Sequence, residues 1–197
     1  MVPLNRYESL ININMKILVL LLIIFSTQLQ AQDVYLTRNG KINFFSHTSI
    51  EDIEAVNNEV TSTLNSKTGA VQFLVLVKGF QFKKAAMRQH FNSDNYMDSD
   101  KYPKADFKGT IKDVSGVNFS KDGTYPVTVE GNLTIHGVTN KVVTSGSVII
   151  KDGKLSAFTK FPVKLNDYKV TVPSFTASKV AQVVEVTVSC SYEPYRS

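Results

Sequence analysis

The chain has 197 residues, of which 43% are hydrophobic, 10% aromatic and 20% charged, a length that points to one domain and a balance that excludes a disordered or low-complexity protein. Lys and Arg number 22 against 17 Asp and Glu, a net charge of +5, and with no basic cluster interleaved with aromatics, nucleic acid is not an expected partner. The single cysteine excludes an intrachain disulfide and a cysteine-based metal site.

Met15-Lys16 leads into the apolar run Ile17–Phe25, which falls short of the roughly 20 residues needed to span a bilayer. With Ser26-Thr27-Gln28-Leu29-Gln30-Ala31 behind it, the layout is that of a secretory signal. The expected cut lies between Ala31 and Gln32, and Met15 offers a second start, since residues 1–14 carry no such pattern. The mature domain is then 32–197, its charge +4 once Arg6, Lys16 and Glu8 leave with the leader. Its expected location is periplasmic or secreted. No cysteine follows the apolar run, so no lipid anchor is expected there.

Period-two alternation dominates the rest. Strands are predicted at roughly 33–38 and 41–47, separated by the turn pair Asn39-Gly40. Ser49–Asn57 reads as a short helix, with a capping serine, acids in the first turn and Ile50, Ile53 and Val56 at helical intervals. Strands follow at 59–65 and 70–80, on either side of Lys67-Thr68-Gly69. Lys83–Phe91 lacks β-branched residues and favours helix, with Met87 and Phe91 on one face. Asn92–Pro103 is turn-rich. Its Asp94, Asp98 and Asp100 lack calcium-loop spacing and read as turn and cap residues.

The remaining strands are predicted at 104–114, 125–136, 140–151 with 154–165, and 181–193, with Asp122-Gly123 and Asp152-Gly153 as hairpin signals. In 105–112, Ala105, Phe107, Gly109 and Ile111 fall on one face and Asp106, Lys108, Thr110 and Lys112 on the other. The later strands repeat that division, as antiparallel strands with one buried face do. Gly109, Gly131 and Gly146 lie inside strands, where glycine marks a bend or a close backbone approach. The expected fold class is therefore an all-β antiparallel barrel of about eight strands with one or two short helices.

Chemistry is sparse. His47, His90 and His136 have no metal-ligand spacing, and no nucleophile motif or phosphate loop occurs. Cys190 lies on a valine-lined face and reads as core. An enzyme would need His90 or His136 beside a carboxylate. Phenylalanine is abundant, 12 residues with no Trp, and Phe44, Phe73, Phe107 and Phe161 all fall on inward faces. An eight-stranded barrel has just enough interior to be plugged or to hold one small ligand, and both readings stand.

Two linked segments carry a family resemblance. Gly131-Asn132-Leu133-Thr134-Ile135-His136-Gly137-Val138-Thr139 resembles a signature of the YceI-like family. Met87–Phe91, Tyr96–Ser99 and Tyr102–Gly109 resemble its second signature, an Arg/His-bearing helix leading into a strand. The resemblance covers roughly 33–193. It implies a lipocalin-like β-barrel, exported to the periplasm, that holds a polyisoprenoid or quinone-like lipid and needs no other cofactor or catalysis. It also admits a homodimer. The candidate lining is Phe44, Phe73, Val75, Phe107, Leu133, Ile135 and Phe161, with Met87 and Phe91 as a lid and Arg88, His90 and Tyr102 for a polar head. Burial worth about 0.8 kcal/mol per CH₂ would hold such a chain without specific polar contacts. The rival reading is a ligand-free structural or stress-response barrel with a packed core.

Overall fold

The computed structural model describes residues 33–195, so the expected signal segment and its cleavage point lie outside the described residues. The strands run β1 (Val34–His47), β2 (Asp52–Asn65), β3 (Ala70–Leu76), β4 (Gln81–Phe82), β5 (Lys104–Lys112), β6 (Gly123–Ile135), β7 (Val138–Lys151), β8 (Lys154–Lys164) and β9 (Val183–Pro194). One helix, α1 (Ala85–Asn92), stands between β4 and β5. Neighbouring strands follow the order β1-β9-β8-β7-β6-β5-β3-β2, and β2 pairs back onto β1. Eight strands thus close an antiparallel barrel. The two-residue β4 is an annex to β2.

Closure depends on a segment the sequence misrepresents. Residues 49–57 are not a helix: Thr48 Oγ1 accepts hydrogen bonds from the Ile50 and Glu51 amides in a tight turn, and β2 begins at Asp52. Ile53, Ala55 and Asn57 also satisfy a period of two. A nine-residue helix is marginal alone, whereas the strand pairs with β1 from His47 to Ile42 and completes the barrel. Asn57, fully buried, fixes the bulge that follows. Its Nδ2 donates to the Leu76 carbonyl at 2.9 Å and its Oδ1 accepts from the Glu59 amide at 2.9 Å.

Other boundaries shift for local reasons. Asn39-Gly40 is not a hairpin turn but a register irregularity inside one continuous β1. A Cβ on Gly40 would meet Cys190 Sγ at 2.7 Å, so glycine here admits a close approach rather than a reversal. The predicted strand 70–80 stops at Leu76 and turns through a 3₁₀ segment, Val77–Gly79. Segments 140–151 and 154–165 are two separate strands, joined by Asp152-Gly153 with φ of 51° and 70°, the geometry of a type I′ hairpin. Asp122-Gly123 is no hairpin, since β6 starts at Gly123.

The barrel has two unlike ends. One gathers the β2–β3, β5–β6 and β7–β8 connections and holds the largest buried cluster. Leu64, Val148, Ile150, Leu155, Cys190 and Tyr192 are all buried there, with Val117 entering from the β5–β6 connection. The other end gathers the β1–β2, β6–β7 and β8–β9 connections together with α1.

Candidate functional site

Between the two ends lies a cavity of about 500 Å³, within the roughly 300–1,000 Å³ of small-molecule sites. The alternation that folds the strands also makes its wall. Val71, Phe73 and Val75 from β3, Ala105 and Phe107 from β5, Leu133 and Ile135 from β6, and Phe161 and Val163 from β8 all line it. Phe107 and Phe73 meet edge to face, with ring centroids 6.3 Å apart. Gly109 and Gly131 face each other across β5 and β6. A Cβ on either would stand 2.5–2.6 Å from the Phe107 ring. The paired glycines therefore let that ring lie along the wall instead of standing into the cavity.

The open end is roofed by aromatics. Phe44, Phe80, Phe82 and Phe91 form one cluster, with Phe91 centroids 5.5, 5.6 and 5.1 Å from those of Phe44, Phe80 and Phe82. Met87 lines the cavity from the same face of α1, yet no residue of that helix is fully buried. The β8–β9 connection, residues 165–182, supplies Leu165, Tyr168, Val170 and Val180. Tyr96 and Thr176 join the two covers by a 2.7 Å hydroxyl hydrogen bond. The Ala181 amide ties the second cover to β1 by donating to Ser46 Oγ at 2.9 Å.

The charged and imidazole groups among the lining are few: Glu51 paired with Lys84 at 3.3 Å, His90, Lys179 and Asp106 of β5. Tyr168 is held neutral, its phenol pushed up chiefly by burial.

Ten of the twelve sequence-derived candidates line the cavity: Phe44, Phe73, Val75, Met87, His90, Phe91, Phe107, Leu133, Ile135 and Phe161. Arg88 and Tyr102 do not. Arg88 is exposed on the outer face of α1. Tyr102 packs edge-on against His136 at 4.4 Å, below Gly137, where a Cβ would stand 2.5 Å from its ring. Tyr102 thus builds the β6–β7 turn, whose His136-Gly137 pair has φ of 51° and 73°.

The sequence reading missed Phe80 and Phe82, although their spacing of two was a usable signal. It also missed the lining from 165–182, which has no periodicity to read. The acid–histidine pair an enzyme reading needs is not assembled among the described residues: His136 Nδ1 meets the Tyr168 carbonyl at 3.4 Å, and the His47–Asp52 pair at 2.6 Å is exposed. Cys190 is core, its thiol pushed up to about 11 by burial, which leaves it unreactive near neutral pH.

A model of the YceI-like domain matches residues 35–192. Among solved structures, a polyisoprenoid-binding domain from Saccharophagus degradans, implicated in plant cell wall breakdown, superposes with a TM-score of 0.71 at 15% identity. That match covers 83% of this chain and 99% of the other. BcnA of Burkholderia cenocepacia gives a TM-score of 0.66 at 19% identity, over 78% and 96% of the two chains. The YceI protein of Campylobacter jejuni gives 0.56 at 14%, over 77% and 90%. No curated protein sequence matches the chain. At these identities the solved structures speak for the fold.

Proposed function

The chain belongs to the YceI-like domain family, and on that premise we propose that it is an exported carrier that holds a long apolar ligand, a polyisoprenoid or an isoprenoid quinone, inside its barrel without transforming it. The observation that carries this reading is the cavity of about 500 Å³, walled chiefly by Phe, Val, Leu and Ile with few charged groups. Apolar burial supplies affinity there, and the rim offers donors to a polar head. His90, Lys84 and Lys179 are the residues placed for that second task. The S. degradans relative is described as polyisoprenoid-binding, which supports the same ligand class. Export is supported by the Met15–Ala31 layout.

The rival, a ligand-free barrel with a filled core, is disfavoured by that interior space. Native mass spectrometry and organic extraction of the purified protein test the proposal. A co-purifying isoprenoid mass, or saturable uptake of a fluorescent polyprenol, is expected. Absence of both overturns it.

A further inference from the structure

The barrel wall is not sealed all the way round. β6 and β7 pair along the whole of 138–150, and β8 and β9 along the whole of 155–164. β7 and β8 pair only from Gly146–Thr159 to Lys151–Lys154. Residues 138–145 of β7 and 160–164 of β8 therefore have no strand partner on their facing sides, and the two strands part toward the open end.

The parting is framed by side chains. At its base Thr159 Oγ1 donates to the Ser145 carbonyl at 2.7 Å and meets Thr144 Oγ1 at 3.3 Å. At its top Asn140 Nδ2 donates to the Asp167 carbonyl at 2.6 Å. From Asn140 to Thr144 is about 13 Å of strand at roughly 3.3 Å per residue.

Two observations show that this window communicates with the interior. The inward-facing Val142, Thr144, Phe161 and Val163 border both the parting and the cavity. Ser147 and Phe158, partners in the β7–β8 ladder, belong to the outward-facing set, yet both line the same cavity. Phe158 is 44% exposed and Val143, on the β7 rim, is 61% exposed, so an apolar path runs from the interior to the outer wall.

What can use it follows from its edges. An unpaired strand edge invites a further strand, and proline and lysine are the residues that prevent this. Pro162 lies on the β8 side, with Lys160 and Lys164 beside it and Lys141 on β7. A peptide is a poor occupant, whereas a flexible apolar chain needs no backbone partner. We infer that the β7–β8 window is a lateral portal through which the apolar chain of the ligand threads into the cavity and out of it, separate from the lidded open end. This rests on the carrier reading above.

The test is to block each route in turn. Val143→Cys and Lys160→Cys, on the two rims, are each coupled to a bulky polymeric maleimide. Phe175→Cys, at the open end and 80% exposed in the native chain, and Lys108→Cys on β5, beyond β6 from the window, serve as controls. The native Cys190 is buried and does not compete. Uptake of a dansyl-tagged polyprenol by the full mature chain is followed by fluorescence, with circular dichroism verifying that each labelled protein is folded.

Labels at 143 and at 160 are expected to slow uptake about tenfold, and labels at 175 and 108 less than about twofold. Unchanged uptake with both rim labels, or equal slowing by the label at 175, overturns the portal. Failure of the unlabelled protein to take up the probe is a different result and overturns the carrier reading itself, and the portal with it.

Discussion

The two ends of the barrel are built from the same alternating strands and differ in how they are filled. At the packed end, side chains from opposite walls meet each other: Cys190, Leu155 and Ile150 are 1%, 3% and 4% exposed and none of them lines the cavity. Toward the open end the lining residues Phe107, Leu133, Ile135 and Phe161 are only partly buried, because they face space, although Val75 and Val163 beside them are buried. The difference lies in the connections. Val114, Val117 and Phe119 on the β5–β6 connection enter the packed cluster, while α1 covers the other end without burying any residue fully.

Truncation at each end gives the largest expected contrast. Leu155→Ala should cost about 2–5 kcal/mol in urea unfolding, since it empties a filled site. Phe161→Ala should cost less, because on its cavity side the ring has no partners to lose. Phe161→Ala should instead alter polyprenol capacity. Equal stability losses would erase the distinction between core and lining.

Next in size is a substitution that would convert one region into the other. In Gly131→Val the new Cβ would collide with the Lys108 carbonyl and Gly109 Cα of β5 and stand 2.6 Å from the Phe107 ring, so the β5 backbone must shift and the ring must swing into the cavity. Such overpacking costs about 1–3 kcal/mol, and probe binding should fall more than stability does. Adding Phe107→Ala should restore part of the stability. If Gly131→Val alone binds probe normally, the glycine pair is not what keeps the cavity clear.

This contrast also marks how far the sequence could be read. Alternation in 105–112 and 127–135 places the walls correctly, because inside and outside are a period-two property. It cannot separate core from cavity, because Leu155 and Leu133 are the same residue type on the same kind of face. Barrel closure was hidden for another reason: Ile50, Ile53 and Val56 fit a helical period as well as Ile53, Ala55 and Asn57 fit a strand, and only pairing with β1 decides between them. Ile50, the residue that made the helix pattern, is 60% exposed. The lids were legible in α1, where Met87 and Phe91 share a face, but not in 165–182. Tyr102 had a polar tip and a loop position, yet it supports a turn, a role set by Gly137 and His136 rather than by its own chemistry.

The packed end should also be the alkali-sensitive one. Burial raises the Cys190 thiol from 9.0 to about 11 and pushes the Tyr192 phenol up as well. Both groups are neutral in the folded protein at neutral pH, so their contribution is fully present below the unfolded-state values. For the thiol it is lost as pH rises from 9.0 through about 11, because the unfolded chain releases that proton first. Stability in urea should decline across that interval, and Cys190→Ala should flatten the decline while lowering the starting value. A decline of the same steepness in Cys190→Ala would place the titration elsewhere.

The smallest expected effect is the most discriminating, because it compares like with like. Each end is crossed by one hydroxyl pair of the same length: Ser62 Oγ to Tyr192 Oη at 2.7 Å in the core, and Tyr96 Oη to Thr176 Oγ1 at 2.7 Å between the two lids. Distance alone would make them equivalent, but surroundings should separate them. Ser62 and Tyr192 are buried, so Ser62→Ala withdraws a partner where water cannot replace it and should cost about 1 kcal/mol. The lid pair is only half-buried, and water can take the place of the lost hydroxyl. Thr176→Val should therefore change stability by less than about 0.5 kcal/mol. Its effect belongs to motion: amides of 165–182 should exchange faster with solvent while those of β2 and β9 do not. Equal stability losses from the two substitutions would mean that the open end is as solid as the packed one and that its lids do not move independently of the barrel.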